Sequence, residues 1–350
     1  MTNFKNNLLK HFEKYPLMEI EDIFKFIYQG ALGCEHMVAS LDTATKRIQD
    51  EFSQLTYNEE IYIEDLSDKY CRVHLSCLSD GLSASTLGKM FSLSARTEID
   101  GNEALCKMLD TIKEMINEGL LTFSHESFVK KADEWKKNKY PPLHHSDKFR
   151  SLYNPHYRVI AKEFVPFLPL LTKIDLLMKE EKLTLAIDGG SGSGKTTLAS
   201  LLNKIYECSI FHMDDFFLTP QMRTSERFME VGGNVDRERF EKEVLIPLSQ
   251  GKVVSYKPFD CSKGDFAQRI NVTPKRLVII EGAYSLHPEL IKYYDYTVFL
   301  DIDKHKQKNR ILKRNSPALA KRFFEEWIPL ENIYFEKTDI KNRAHTVISI

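Results

Sequence analysis

The sequence has no excess of charge of either sign. Its 49 Lys and Arg face 50 Asp and Glu, leaving a net charge of −1 over 350 residues. That balance excludes a protein that coats nucleic acid along its whole surface, although not a local basic patch. Long hydrophobic runs are also lacking. The stretch 164–171 is apolar but is cut by Pro166 and Pro169, so it falls short of the roughly 20 residues a membrane span needs. The opening Met-Thr-Asn-Phe-Lys-Asn-Asn has no charged-then-apolar export pattern. Cysteine is sparse, with six residues at 34, 71, 77, 106, 208 and 261 and no C-x-x-C pair. This reads as reduced thiols in a cytoplasmic protein rather than as a disulfide framework. Internal repeats and low-complexity tracts are absent. The 42% apolar and 28% charged residues are those of a globular, soluble chain long enough for two domains.

One segment carries a chemical signature. Residues 189–196 read Gly-Gly-Ser-Gly-Ser-Gly-Lys-Thr, the pattern G-x-x-x-x-G-K-[ST] of a Walker A phosphate loop. Its flanks suit it. The apolar run 183–188 predicts a buried strand, and Leu198, Leu201, Leu202 and Ile205 recur on one face of a helix. Glycines let successive N–H groups turn toward phosphate oxygens, and the helix adds its positive end. Gly189, Gly190, Ser191, Gly192, Ser193, Gly194, Lys195, Thr196 and Thr197 are therefore the expected nucleotide cradle. Within it Lys195 can reach the β- and γ-phosphates, and the Thr196 hydroxyl can ligate Mg²⁺.

From about residue 180 onward apolar strands alternate with helical patterns. Segments 208–213, 277–280, 296–300 and 346–350 join 183–188 as candidate members of one parallel sheet, with helices over 239–248, 288–293 and 304–313 between them. That is an α/β, P-loop NTPase-type sheet flanked by helices. The first half differs. Segments 20–38 and 43–55 predict helices. Leu105, Met108, Leu109, Ile112, Met115 and Ile116 form a helical stripe, opened by an Asp100…Glu103 capping pair and closed by Gly119. We expect a mainly helical N-terminal domain over 1–160, a helical connector over 161–179, and the phosphate-loop domain over 180–350.

Ligands of open α/β sheets bind beyond the carboxyl ends of the strands. Three such ends carry suitable groups: the phosphate loop, Met213-Asp214-Asp215-Phe216-Phe217, and Glu281-Gly282. One carboxylate there can hold Mg²⁺ and another can deprotonate an attacking hydroxyl. Helix capping is the competing reading for Asp214 and Asp215, and a plain loop acid for Glu281. The coincidence of all three at one edge favours chemistry.

With these pieces assembled, residues 183–350 resemble the uridine kinase and phosphoribulokinase group of P-loop small-molecule kinases. The matching elements are the loop 189–197, Met-Asp-Asp-Phe-Phe at 213–217, Asn-Val-Asp at 234–236, Glu-Gly at 281–282 and Asn-Arg-Ile-Leu-Lys-Arg-Asn at 309–315. The resemblance implies that Asp214 takes the acceptor's proton and that Glu281 lies near Mg²⁺. It also implies that Asp236 holds sugar hydroxyls and that Arg310 and Arg314 are lid arginines closing on the phosphates. Guanidinium forks suit that last role, against a solvated helix face as the alternative. Asp215 stands where the group often has a small residue and is assigned to the acceptor side. Tyr256 keeps the tyrosine of a base-contacting stretch, but Cys261 falls where its histidine would be. A thiol replaces an imidazole poorly as a hydrogen-bonding group, so the acceptor need not be uridine.

The first half resembles no family. Cys34, His36, His74, His144, His145 and His156 are candidate metal ligands without a zinc spacing, and surface or capping roles compete. Residues 130–158 interleave Lys and Arg with Trp135, Tyr140, Phe149, Tyr153 and Tyr157. Such a stretch can bind single-stranded nucleic acid, or it can be a polar helix face with its packing partners. The dense segment 144–158, with Arg150 and Arg158, is a further candidate to line the acceptor pocket or regulate the other half.

The reading is an ATP- and Mg²⁺-dependent kinase acting on a hydroxyl of a small metabolite, a nucleoside or sugar. Its rivals are a nucleotide-driven ATPase or switch and an RNA-directed P-loop enzyme, each using the N-terminal domain as effector. The partners expected are a small-molecule acceptor and, left open, a second copy of the chain. Charge balance disfavours nucleic acid, and a membrane is not expected.

Overall fold

The computed structural model describes residues 2–34, 40–55, 63–95, 101–179 and 182–350. The chain forms two compact units, Met1–Asp175 and Leu176–Ile350. The break falls inside the stretch read from sequence as a connector.

The first unit contains helices α1 (Thr2–Lys14), α2 (Ile20–Leu32), α3 (Leu41–Ser53), α4 (Ala84–Ser94), α5 (Asn102–Asn117), α6 (His125–Lys137), α7 (Asp147–Tyr153) and α8 (Leu168–Leu177), the last crossing the break. It is mainly helical, as expected, but it also holds an antiparallel sheet in the order β1-β2-β3, formed by β1 (Ile63–Asp65), β2 (Tyr70–His74) and β3 (Tyr157–Ala161). The helix expected over 20–38 is α2; residues 35–39 lie outside the described residues, and with them His36. Asp100 of the expected capping pair also lies outside them, and Gly101 takes the N-cap position of α5. The α5 stripe is observed: Leu105, Leu109, Ile112, Met115 and Ile116 are buried. They meet Ile23, Phe26, Ile27, Phe128 and Trp135 in one core, where Phe24 and Trp135 stack with centroids 4.9 Å apart. Four helices begin with a serine whose hydroxyl accepts the N–H three residues on, namely Ser40, Ser83, Ser124 and Ser146.

The second unit is built on a parallel sheet in the order β12-β11-β4-β10-β5, from β4 (Leu183–Gly189), β5 (Ser209–His212), β10 (Leu277–Glu281), β11 (Tyr296–Asp301) and β12 (Thr346–Ser349). Every strand expected from sequence is present. Helix α9 (Lys195–Tyr206) follows β4. Between β5 and β10 lie α10 (Ser225–Met229), α11 (Arg237–Phe240), α12 (Ile246–Ser249) and two antiparallel pairs, β6 (Val254–Tyr256) with β9 (Ile270–Val272) and β7 (Phe259–Asp260) with β8 (Asp265–Phe266). Helices α13 (Lys304–Arg314), α14 (Pro317–Arg322), α15 (Ile328–Thr338) and α16 (Ile340–Arg343) precede β12. The helix expected over 239–248 exists but passes through a π turn at Glu241–Leu245. The one expected over 288–293 shrinks to a single 3₁₀ turn, Ile291–Tyr293. Six residues closing back onto the sheet leave no room for a regular helix to propagate. Among the described residues no helix is long and apolar enough to cross a membrane.

The N-terminal core contains titratable groups with consequences for stability. His145 stacks on Phe149 at 4.1 Å, and its Nδ1–H donates to Asp22 Oδ1 at 2.9 Å. Burial holds it down to about 3, and burial lowers His11 as well. An unfolded histidine titrates near 6.5, so between about 3 and 6.5 the unfolded chain binds more protons, and stability must fall as pH drops through that window. The slope is roughly 1.4 kcal/mol per pH unit for each histidine. Trp135 fluorescence in a Trp327→Phe background reports this unit alone. We expect its denaturation midpoint to fall from pH 7 to pH 4.5 and His145→Gln to flatten that dependence. A midpoint indifferent to pH would contradict the assignment.

Candidate active site

The phosphate loop leaves the end of central strand β4 and feeds α9. Gly189 (φ 143°) must be glycine, because a Cβ there would stand 2.4 Å from the Leu300 carbonyl of β11. Gly194 (φ 99°) is the left-handed cap from which α9 starts. Lys195 Nζ donates to the carbonyls of Gly189 and Gly190 at 2.7 and 3.1 Å, so its ammonium lies across the mouth of the loop. Thr196 and Thr197 open α9, both exposed. The Ser193 hydroxyl is buried in the loop and has no partner among the described residues.

The sheet register brings the two acidic strand ends beside this loop. Glu281 pairs with His212 across β10 and β5 and with Ile187 across β10 and β4. Thr196 Oγ1 donates to Glu281 Oε1 at 3.1 Å, and His212 Nδ1 meets the same oxygen at 2.5 Å. That bond raises the imidazole's pKa above 6.5. Asp214 lies in the 3₁₀ turn Met213–Phe216 that follows β5. The charges of Lys195, Glu281, His212 and Asp215 all act on it, and desolvation, the largest influence, pushes its carboxyl above the ordinary value. Its surface is open to water even so. Dense charged neighbours on one side and water on the other give a carboxylate both properties.

Asp215, Asp236 and Tyr256, expected from sequence on the acceptor side, are tied together through shared contacts with Arg239 and each other. Tyr256 OH donates to Asp215 Oδ2 at 2.9 Å. The Asp215 carbonyl accepts from Arg239 Nη2 at 3.1 Å. Asp236 caps α11, accepting from Arg239 N at 3.0 Å, and pairs with the Arg239 guanidinium at 3.4 Å. The Asp236 amide donates to Phe216 O at 2.7 Å, tying this cap to the Asp214 turn. Asp236 thus has a structural function of its own. Cys261 is exposed.

The two proposed lid arginines part company. Arg310 Nη1 donates to Gly192 O and Ser193 O at 3.1 and 3.3 Å, against the loop. Arg314 is exposed and lies 5.9 Å above the Phe323 ring instead. One turn of helix after Arg310, its side chain points to a neighbouring aromatic rather than to the loop.

Four residues that sequence reasoning passed over, Asp188, His212, Gln307 and Glu331, bond the loop or the Glu281 beside it. Asp188, the last β4 residue before the glycines, is fully buried and accepts from Gly189 N, Leu286 N and Tyr334 OH at 2.6, 2.9 and 2.9 Å. Burial raises it to about 6. Glu331 on α15, 3% exposed, accepts from Ser191 N at 2.9 Å and Ser191 Oγ at 2.5 Å, and burial raises its pKa too. Gln307 on α13 donates to Ser191 O at 2.9 Å. Only Asp188 and His212 offered a signal in sequence, by adjoining the loop and the Met213-Asp214 turn.

His36 lies outside the described residues, and the other N-terminal candidates do not converge. Among the described residues no group of three or more His, Cys, Asp or Glu could hold a metal ion. Trp135, Tyr140 and Phe149 are buried in the core, which removes them as stacking platforms for nucleic-acid bases. Arg158 forms a two-pronged pair with Glu51 at 2.9 and 2.8 Å, and Arg150 pairs with Asp147.

Residues 184–318 match the family model described as "Phosphoribulokinase / Uridine kinase family". A uridine kinase from Macrococcus caseolyticus is 30% identical over 140 residues, covering 37% of this chain and 66% of that protein. One from Lactobacillus helveticus is 29% identical over 147 residues, covering 39% and 69%. One from Anoxybacillus flavithermus is 27% identical over 180 residues, covering 46% and 83%. The chain thus spans about two thirds of the length of the first of these relatives. A solved structure of a possible uridine kinase from Bacillus stearothermophilus aligns with a TM-score of 0.39 and 24% identity, over 51% of this chain and 99% of that one. Residues 184–318, which hold the phosphate loop and most of the parallel sheet, are thus similar to the phosphoribulokinase/uridine kinase family.

Proposed function

We propose that the C-terminal unit transfers the γ-phosphoryl group of ATP, in the presence of Mg²⁺, to a hydroxyl of a nucleoside or sugar. The reading is carried by the crowding of Asp214 with Lys195 and Glu281, whose charges bear on it directly. A base able to take a hydroxyl proton stands beside a phosphate cradle and a hard-oxygen site. Asp214 accepts the proton as the hydroxyl oxygen attacks phosphorus, and the bond to the leaving ADP oxygen breaks. Lys195 and Arg310 neutralise charge on the transferring group, so positioning and electrostatics supply most of the rate.

Thr196 Oγ1 and Glu281 Oε1 are the oxygen donors Mg²⁺ prefers, and they lie 3.1 Å apart. An ion that keeps its waters and takes phosphates needs only one or two such protein ligands. Bound there, it would neutralise charge on the phosphates. Asp215, joined to Tyr256, and Asp236, joined to Arg239, form the acceptor wall. Cys261 supplies none of the hydrogen bonding of an imidazole, which leaves room for acceptors other than uridine. The N-terminal unit's buried aromatics weigh against an RNA-directed enzyme.

Asp214→Asn is expected to lower kcat by about 10²–10⁴-fold while fluorescent-nucleotide binding stays near normal. Near-normal turnover would remove Asp214 as the base. Because the base must be ionised, activity should be present above and lost below its folded pKa. Since that value is raised from 3.8, the acid limb of the pH–rate profile should lie above the ordinary aspartate range. Glu331→Ala deletes both Ser191 bonds, so KM for ATP should rise by about tenfold with a smaller change in kcat. An unchanged KM would show that the loop does not need this clamp.

A further inference from the structure

A chain of buried polar groups runs through the N-terminal unit, and phosphoryl transfer uses none of it. His11 on α1 bonds the Glu64 carboxylate on β1. Glu64 Oε2 accepts from Arg72 Nη1 on β2 at 2.9 Å, and Arg72 Nε donates to Gln29 Oε1 on α2 at 2.9 Å. The Gln29 amide meets the Tyr157 hydroxyl of β3 at 3.4 Å, Tyr157 OH donates to His145 Nε2 at 2.7 Å, and His145 reaches Asp22. His11 and Arg72 are each 1% exposed and Asp22 is fully buried. Buried ion pairs are poor stabilisers, because desolvation consumes most of the Coulomb gain. A core that keeps so many ionisable groups is a site candidate on physical grounds.

The balance of donors and acceptors says what such a site would take. The carboxylates are already engaged. Asp22 Oδ1 accepts from His145 Nδ1 and Ser146 N, while Oδ2 accepts from Glu19 N and Ser146 Oγ, so its lone pairs are filled. Each Glu64 oxygen accepts one bond, Oε1 from His11 and Oε2 from Arg72. The donors are not. Arg72 Nη2 and Asn7 Nδ2 are buried without a hydrogen-bond partner among the described residues. The Arg72 guanidinium lies 4.4 Å from the Tyr157 ring and 5.5 Å from that of Phe26. A ring face engages its charge, not its in-plane N–H groups. The Lys25 ammonium, also buried, donates to the neutral Leu143 carbonyl at 2.9 Å. Burial, and after it the charge of Arg72, brings Lys25 down to about 8. Two buried cations thus retain unspent donor capacity beside two engaged carboxylates, and the missing partner is rich in acceptors. Tyr157, only half-buried, gives the network its edge toward solvent.

We propose that this network is a second ligand site, taking a small metabolite through a phosphate or carboxylate group anchored on Arg72. A guanidinium fork with one arm fixed by Glu64 and Gln29 presents its other nitrogen in a set direction, which suits a planar or tetrahedral oxyanion. The Lys25 ammonium adds charge at close range.

The test uses the full chain carrying Lys195→Ala, so that the phosphate loop does not answer. Inorganic phosphate and acetate are titrated calorimetrically, with sodium chloride at matched ionic strength as control. Saturable binding of one of them, with a raised unfolding midpoint read at Trp135, is expected. Phosphate binding marks a phosphate ester and acetate binding a carboxylate. Arg72→Lys keeps the charge but loses the fork, and should weaken binding by about tenfold or more. If that variant does not fold, Lys25→Gln, outside the Glu64 pair, should weaken binding severalfold. The proposal is overturned if neither anion binds beyond the chloride control, or if both substitutions leave binding unchanged. The unpaired nitrogen then holds no more than water.

Discussion

The carboxylate of Asp188 is the constraint on which the catalytic half is arranged. It closes the central strand in a place without water and receives bonds from the first loop amide, from the Leu286 amide beyond β10 and from the Tyr334 hydroxyl of α15. Burial raises its pKa to about 6 against an ordinary 3.8. The sign follows: the folded state favours the protonated form, so this group's contribution is lost as pH rises through about 6, and ionised Asp188 costs a few kcal/mol at neutral pH. Such a cost persists only where three segments must be pinned to one point. Lys195, whose charge opposes the shift, offsets part of it.

From that point the loop is gripped by the C-terminal helices rather than by the sheet alone. Gln307 and Arg310 on α13 bond the carbonyls of residues 191–193, and Glu331 on α15 bonds the amide and hydroxyl of Ser191. Tyr334, one turn after Glu331, reaches Asp188. Two helices separated from the loop by more than 100 residues therefore set its shape. The family match ends at residue 318, before α15 begins. The Glu331 and Tyr334 part of the grip thus lies beyond the matched residues, whereas Gln307 and Arg310 lie within them.

What the sequence made legible was local. The glycine spacing and flanking apolar runs gave loop, strand and helix, because each feature is fixed within about ten residues by backbone sterics and periodicity. The acids at 214 and 281 followed from their places at strand ends. Glu331, Gln307 and the splayed Arg314 were hidden, since no short pattern records which helix folds back onto a loop. The β1-β2-β3 sheet was hidden for a related reason. Its middle strand carries Arg72 and His74 at positions that are buried, so the apolar–polar alternation that announces a strand is broken by the network of polar side chains it supports. Trp135 and Tyr140, which composition alone left free to stack on bases, are spent in the helical core.

The charge of the crevice bears on the proposed reaction. Asp188, Asp214, Asp215, Glu281 and Glu331 gather about the loop, while Lys195 and Arg310 bring positive charge to it and His212 bonds Glu281. A triphosphate brings several more negative charges to a site already rich in acid. Like charges within a few ångströms cost about 1 kcal/mol or more even where water screens them. Neutralisation has to come from a cation that arrives with the nucleotide or from protons on the carboxylates. The raised values of Asp188, Asp214 and Glu331 show that the protein already leans toward the second route. That route is closed to a base, which must be ionised to act. In the proposed reaction, Thr196 and Glu281 would hold a divalent ion that offsets the charge at the phosphates, and Asp214 would stay ionised to take a proton.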